Sequence, residues 1–589
     1  MKDFLKILAG AVFFTTIFSL PSLAVVNDPS ITGLTGDYVV CADGKSYIYA
    51  CPASVGVANP PVTATADAIT GWTNVTVALD ATGTGTRIDI GGGNQDYPDL
   101  STLDPGTLGP GDVINLFHRA QPYTSKLAFI TDGTEANPII INGVTNGAGL
   151  RPQVDCEGAT TVQAQDWSIY LDDLGCWTLA YSRDGGTYND RTEWMTFQNL
   201  HMYGSSSSHT YDGGLQYTQG TSTIRLQDAA HIVFQGNLFT DNDNGIFVSS
   251  ANIAEHITIR GNYFNGNGVV GSYLEHGLYF QGVSTDPVNQ PNVVEGNYFG
   301  PLKVGSLGLS GVKHRGTDLH LRYNVITCFQ RCIDIVEAQD ELPNWIYTNF
   351  TAQQLLDRYR TSYVYGNQIL IDTPAGYNAT YPIHVGMDTG QVYPGDDQLF
   401  DANAGAANGN PMARGYGSPV YFYHNSFFIK TGTEWRQALF DLDAGSSDAS
   451  SYIGSMVAVN NVWHVVGEAG STNNLLWLKD TGNLTLSGGN LLSQVNMAAG
   501  SPFEGTDQND DPDIVITGAV TQTGDPLFAD TSNADIEYWD LTPQGGSPAI
   551  GAAGSLPAGL PPVLLKPVPP YLGGGASTRD SVLDLGAYE

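Results

Sequence analysis

The sequence predicts an all-β chain: a single-stranded, right-handed parallel β-helix, or solenoid, with loop and short helical insertions. Three observations carry this. An Asn followed within two places by a bulky apolar residue recurs at intervals of 25 to 58 residues. A second short alternating strand follows most of these copies. Glycine supplies 70 of the 589 residues while charged residues are only 14%, a balance that suits short strands and tight turns better than long helices.

The repeat begins near residue 195, with Asn199, Asn237, Asn262, Asn297, Asn324, Asn367, Asn425, Asn461 and Asn490 as its markers. The shortest spacings approximate one coil of a β-helix, and the longer ones are coils carrying insertions. The expected reason for Asn is a corner. It tolerates left-handed backbone, and its amide can bond the equivalent Asn of the next coil. After the corners come Gly245-Ile246-Phe247-Val248, Gly277-Leu278-Tyr279-Phe280, Gly311-Val312-Lys313-His314, Cys332-Ile333-Asp334-Ile335 and Pro382-Ile383-His384-Val385. An unrelated series of hairpins would not need one Asn signature at every step.

Around this array the chain divides into a signal peptide (1–24), a disulfide-tied lead-in (25–95), the β-helix (96–540) and a C-terminal tail packing on it (541–589). Lys2 and Lys6, the apolar run Leu8 to Leu20, and Ser22-Leu23-Ala24 have the order of a secretory signal. The expectation is a secreted or periplasmic monomer with no membrane span after cleavage. Six cysteines suggest disulfides, with Cys41–Cys51, Cys156–Cys176 and Cys328–Cys332 the simplest pairing. Thr351-x-x-Gln354 opens a short helical insertion, and 387–419 is a long loop. A net charge of -35 argues against a nucleic-acid partner.

The candidate site lies between Leu274 and Glu337, centred on Lys313, His314 and Arg315. If Ile246, Leu278, Val312, Ile333 and Ile383 point inward, then Phe247, Tyr279, Lys313, Asp334 and His384 point outward, one above another at about 4.8 Å per coil. Gln281, Arg315 and, with a one-residue adjustment, Glu337 form a second outward row. This predicts an exposed ladder suited to an extended polymer. His314 falls on the inward side and reads as structural. Asp241-Asn242-Asp243-Asn244-Gly245 looks like a calcium-loop fragment without the distal Glu, so a plain turn is expected.

Such a set suits β-elimination on an acidic polysaccharide, which needs a base, a cation for the enolate-like intermediate and an acid for the leaving oxygen. The catalytic candidates are Lys313 as base, Arg315 as carboxylate fork, and Tyr279 or His276 as proton donor. The substrate-binding candidates are His384, Glu337, Asp334 and Arg225, with Asp334 or Glu337 orienting Arg315 or holding a cation such as calcium. The alternatives are a β-helix glycoside hydrolase, with Asp334, Glu337 and Asp441 as its carboxylates, and a non-catalytic carbohydrate-binding or cell-surface protein.

Pro110-Gly111-Asp112, the block Gly133-Thr134 to Asn137-Pro138-Ile139, the Asn corners and the ending Ser547-Pro548-Ala549-Ile550 to Asp584-Leu585-Gly586-Ala587-Tyr588-Glu589 resemble secreted β-helix proteins of the pectate-lyase superfamily. Within it the chain is most similar to the alginate lyase and chondroitinase B group. The resemblance implies a polysaccharide lyase with a catalytic Lys, carried over here to Lys313. It departs from the group's pattern in two places. Lys313 precedes Asn324 by 11 residues and is followed by His314, and the next coil strand, Cys332 to Glu337, holds no Arg. Arg315 then has to substitute, and no calcium ligand is carried over.

Overall fold

The structure, a computed structural model, describes most of residues 76–587 and three short strands between 34 and 48. The larger stretches outside it are 1–33, 49–75, 163–172, 180–190, 249–253, 283–289, 304–310, 337–361, 373–381, 387–418, 431–435, 443–453, 468–474, 498–513, 533–538 and 568–575. The expected signal peptide, the Cys41–Cys51 pair, the helical insertion, the long loop and Glu337 therefore lie outside the described residues.

Strands are assigned to three long sheets in strict rotation. Ala229–Gln235, Leu238–Thr240 and Asn244–Val248 make one coil, and Thr258–Arg260, Tyr263–Asn265 and Leu278–Phe280 make the next. Each strand pairs in parallel with its equivalent one coil on. The result is a parallel β-helix that has, among the described residues, one sheet of 14 strands and two of 11. Among the described residues the only helical pieces are two 3₁₀ turns, Leu100–Thr102 and Pro105–Thr107. No helix among them is long and apolar enough to cross a membrane.

The corners obey the expected hydrogen bonding, with one correction. Asn237, Asn262, Asn297, Asn324 and Asn367 each donate Nδ2 to Oδ1 of the Asn one coil on, at 3.0 Å. The ladder continues through Asn425 and Asn461 to Asn490. The left-handed residue, however, is the one before the Asn: Gly236, Gly261, Gly296 and Gly366 have φ between 58° and 64°. Glycine takes this role because it carries no Cβ penalty there, which leaves the Asn free to be chosen for its amide. Asn199 is such a left-handed residue itself (φ 60°). The ladder position of its coil is Leu200, whose N–H caps Asn237 Oδ1 at 3.0 Å.

The interior is a set of apolar columns. Ile246, Leu278, Val312, Ile333 and Ile383 stand opposite one another on successive strands, and all are fully buried. Phe239, Phe264 and Phe299 stack beside them at 4.9 and 4.7 Å between centroids. Burying each such side chain contributes roughly 1.5–3 kcal/mol, so the sheet carrying the candidate site rests on a rigid floor.

Two boundaries differ from expectation. Arg87–Ile90 already pairs in parallel with Val113–Leu116, so the solenoid starts before residue 96. Among the described residues its last strand is Gln522–Thr523, ahead of 540. The chain then returns along the outside: Trp539, Leu541 and Ala587 pack on Tyr263, Tyr298 and Phe428, and Gly586 N–H donates to Asn460 O at 2.8 Å. Cys156–Cys176 and Cys328–Cys332 are both formed.

Two buried imidazoles, His314 and His464, and two half-buried ones, His231 and His320, give the fold a pH dependence. Burial pushes His314 and His320 down to about 3, Arg322 adding to the effect at His320. Burial likewise pushes His464 down to about 4, against the pull of Asp525, and His231 to about 4, with His256 and Arg191 contributing. A base depressed in the folded state stabilises the fold above its unfolded value, near 6.5, and that stability is lost as pH falls toward the folded value. His314, His320 and His464 should each cost about 2 kcal/mol between pH 7.5 and 5. Thermal unfolding should show Tm dropping over that interval. A His320→Phe variant should lose markedly less, and an unchanged slope would refute the assignment.

Candidate active site

The five residues expected to form one outward column do so. Phe247, Tyr279, Lys313, Asp334 and His384 are direct partners on five successive parallel strands. Arg225 extends the column one coil in one direction, and Asp441 occupies the next position in the other. Strand alternation is sufficient cause: with Ile246 and its equivalents facing the core, the next residue of each strand must face away from it.

The column is not an exposed ladder. Tyr279 is 8% exposed, Lys313 and Arg315 6%, His276 3%, His384 2% and Asp334 1%. Pointing away from the core therefore does not bring these side chains to open solvent. Phe247 is half-buried. The charges therefore interact through a medium less screening than bulk water.

Asp334 is the hub. Its Oδ1 lies 2.5 Å from His384 Nδ1, and its Oδ2 lies 3.5 Å from Lys313 Nζ and 3.2 Å from a guanidinium nitrogen of Arg331. Burial alone would raise its pKa. Arg331, Lys313 and His384 outweigh burial and hold the carboxyl well below the usual carboxylate range. Asp334 is thus a fixed anion, and it favours the ammonium form of Lys313.

Arg331 was not anticipated. It precedes the Ile333–Val336 strand, inside the turn closed by the Cys328–Cys332 disulfide. Its signal in the sequence is the i,i+3 spacing to Asp334 next to a Cys-x-x-x-Cys turn. That turn supplies on this coil the arginine which the strand itself lacks.

The other half of the site centres on Tyr279. Its ring stacks on Phe247 at 4.3 Å with planes 4° apart, and the Arg225 guanidinium sits 4.4 Å over the other ring, Phe247. Arg315 approaches the Tyr279 hydroxyl at 3.4 Å. The His276 ring, brought in from the corner before the strand, lies 5.6 Å from that of Tyr279. His276 N–H is anchored by Asn244 Oδ1 at 2.7 Å. His314 lies on the core side, fully buried, with Nδ1 3.3 Å from Phe280 O; it is structural, as expected.

The region therefore gathers Lys313 and Arg331 around the Asp334 carboxylate, with Arg315 beside Tyr279, in a chain of net charge -35. It is a local cation excess, suited to an anionic ligand. Among the described residues no group of three or more His, Cys, Asp and Glu side chains could hold a metal ion. Asp241 to Asp243 form a bend that leads into the Asn244–Val248 strand. Asn242 Nδ2 bonds Asn267 Oδ1 at 3.2 Å, and Asp243 accepts from Ser206 Oγ and Ser207 N–H.

No protein-family model matches the sequence, and no curated protein matches it. Solved structures similar to the chain include an alginate lyase from Paenibacillus sp. str. FPU-7, at 12% identity over 70% of this chain and 92% of that one, with a TM-score of 0.26. Pectate lyase Pel9A is similar at 10% identity over 87% and 98%, TM-score 0.31. A DFA-IIIase from Arthrobacter chlorophenolicus A6 is similar at 13% over 74% and 99%, TM-score 0.34. The fold rests on the strand topology; these similarities add neither a substrate nor a site residue.

Proposed function

We propose that the chain is an exported enzyme that cleaves a uronate-containing polysaccharide by β-elimination. The observation that carries this reading is the Tyr279–Arg315 contact at 3.4 Å, with Lys313 directly opposite Tyr279 on the next strand. A proton donor and two cations stand where a sugar carboxylate and its neighbouring glycosidic oxygen would have to meet.

The roles follow from the electrostatics. Arg315 takes the carboxylate through its planar fork. Lys313, read from the sequence as the base, suits a different task. The Asp334 carboxylate 3.5 Å away favours its ammonium, which fits it to stabilise the enolate-like intermediate. His276 then removes the proton from the carbon α to the carboxylate. The electron pair forms the new carbon–carbon double bond, the bond to the leaving oxygen breaks, and Tyr279 O–H protonates that oxygen. Arg315 stabilises the phenolate that remains until a proton returns from His276 by way of solvent.

Incubation with alginate, pectate, glycosaminoglycans and bacterial exopolysaccharides tests the reading. The expected signal is the ultraviolet absorbance of an unsaturated uronate with falling polymer length. Sugar release without that absorbance would assign a hydrolase, and binding without shortening would assign a carbohydrate-binding protein. The geometry favours neither: Asp334, the carboxylate of the five-residue outward column, is committed to three basic side chains.

A further inference from the structure

Glu275, immediately before His276, is fully buried, yet neither of its carboxylate oxygens has a hydrogen-bond partner among the described residues. The preceding coil offers a control. Counting back from Ile246 opposite Leu278 sets Asp243 opposite Glu275, and the contacts between Gly245 N–H and Gly277 O and between His276 N–H and Asn244 Oδ1 keep that register. At Asp243 the fold supplies donors to both oxygens, Ser206 Oγ at 2.8 Å and Ser207 N–H at 3.0 Å. At Glu275 it supplies none.

A buried carboxylate left without donors is costly, and a native chain retains one where something else satisfies it. The location narrows that partner. Glu275 adjoins His276, whose ring lies against Tyr279, which in turn meets Arg315. The residue next to Glu275 in the chain therefore borders the Tyr279–Arg315 contact. Its acidic group belongs with Lys313 and Arg315, since a second carboxylate against Glu275 would be repelled. What remains to meet Glu275 is a neutral donor with two hydrogens to give.

We infer that Glu275 is the hydroxyl-binding residue of the site, taking two neighbouring hydroxyls of a sugar ring, and that the substrate is a polymer left unacylated at that position. This rests on the proposed carbohydrate reading of the site and adds the hydroxyl pattern the site requires. O-acetylation of the two hydroxyls would remove both donors.

Three measurements test the inference. First, the ligand-free Tm of Glu275→Met should rise, because the change removes an unsatisfied buried polar group at similar volume; a fall would mean the carboxyl group has a structural partner and would overturn the inference. Second, Glu275→Gln should weaken binding of a deacetylated acidic polysaccharide about 10- to 100-fold, read by calorimetry; unchanged affinity would overturn it. Third, the parent protein should bind the O-acetylated form of the same polymer more weakly than the deacetylated form, and Glu275→Gln should lose most of that preference. Equal discrimination by both proteins would overturn the inference. Because binding and Tm are read without turnover, a chain that bound polymers in this pattern but released no unsaturated product would refute the lyase reading and leave the Glu275 assignment standing.

Discussion

Arg315→Ala should lower turnover on the responsive polymer by about 10²- to 10³-fold, the scale of removing one preorganised donor from a developing charge. The expectation is this large because Arg315 has two tasks: it grips the carboxylate, and it lies 3.4 Å from the Tyr279 hydroxyl that must carry negative charge for part of the cycle. Arg315→Lys should recover only about a tenth of the lost activity, since a point charge cannot present two parallel N–H donors. The side chain is buried, so the Tm of each variant needs to be read beside the rate. A well-folded Arg315→Ala protein that kept more than about a tenth of its turnover would remove Arg315 from the chemistry, and the elimination mechanism with it.

The column that holds these groups was readable in advance because strand alternation is a two-valued property. Once Ile246, Leu278, Val312, Ile333 and Ile383 are taken as the inward set, Tyr279, Lys313, Asp334 and His384 have no other side to occupy, and the observed register agrees. The corner amides were readable for a similar reason: a repeated Asn can bond its own copy one coil away. What stayed hidden depends on dimensions a strand pattern does not encode. Asp334 at 1% exposure was expected in the open, because inward and outward say nothing of how far neighbouring side chains fold over one another. Arg331 sits outside any strand, in a turn closed by Cys328–Cys332. Its orientation comes from that closure, not from the period of two. Glu275 lies at a corner, and its character emerges only by comparison with Asp243 one coil away. The left-handed position was misplaced by one residue because Gly-Asn occurs as a unit, and the pattern alone does not divide the backbone role from the side-chain role.

Asp334→Ala should be the most damaging substitution to the fold within the site, lowering stability by about 3–5 kcal/mol, the range for removing one partner of a buried ionic group. The wild-type carboxylate offsets Lys313, Arg331 and His384 together. Without it two like charges remain packed beside an imidazole, with little water to screen them. Turnover should fall with stability, since Lys313 loses the contact that holds its ammonium in place. The pH dependence has a definite sign. Because the Asp334 carboxyl is held well below the usual carboxylate range, its contribution is present above the unfolded value near 3.8 and is lost only as pH falls toward the lower folded value. Wild type and Asp334→Ala should therefore differ by a nearly constant amount from pH 8 down to about 4 and converge only below that. A compensating deletion separates charge balance from lost packing. Arg331→Leu in the Asp334→Ala background should restore part of the lost Tm, although Arg331→Leu alone is destabilising. If the second change instead added to the damage of the first, the cluster would be held by shape and not by the balance of its charges, and the view of Asp334 as the fixed anion of a cationic site would fail.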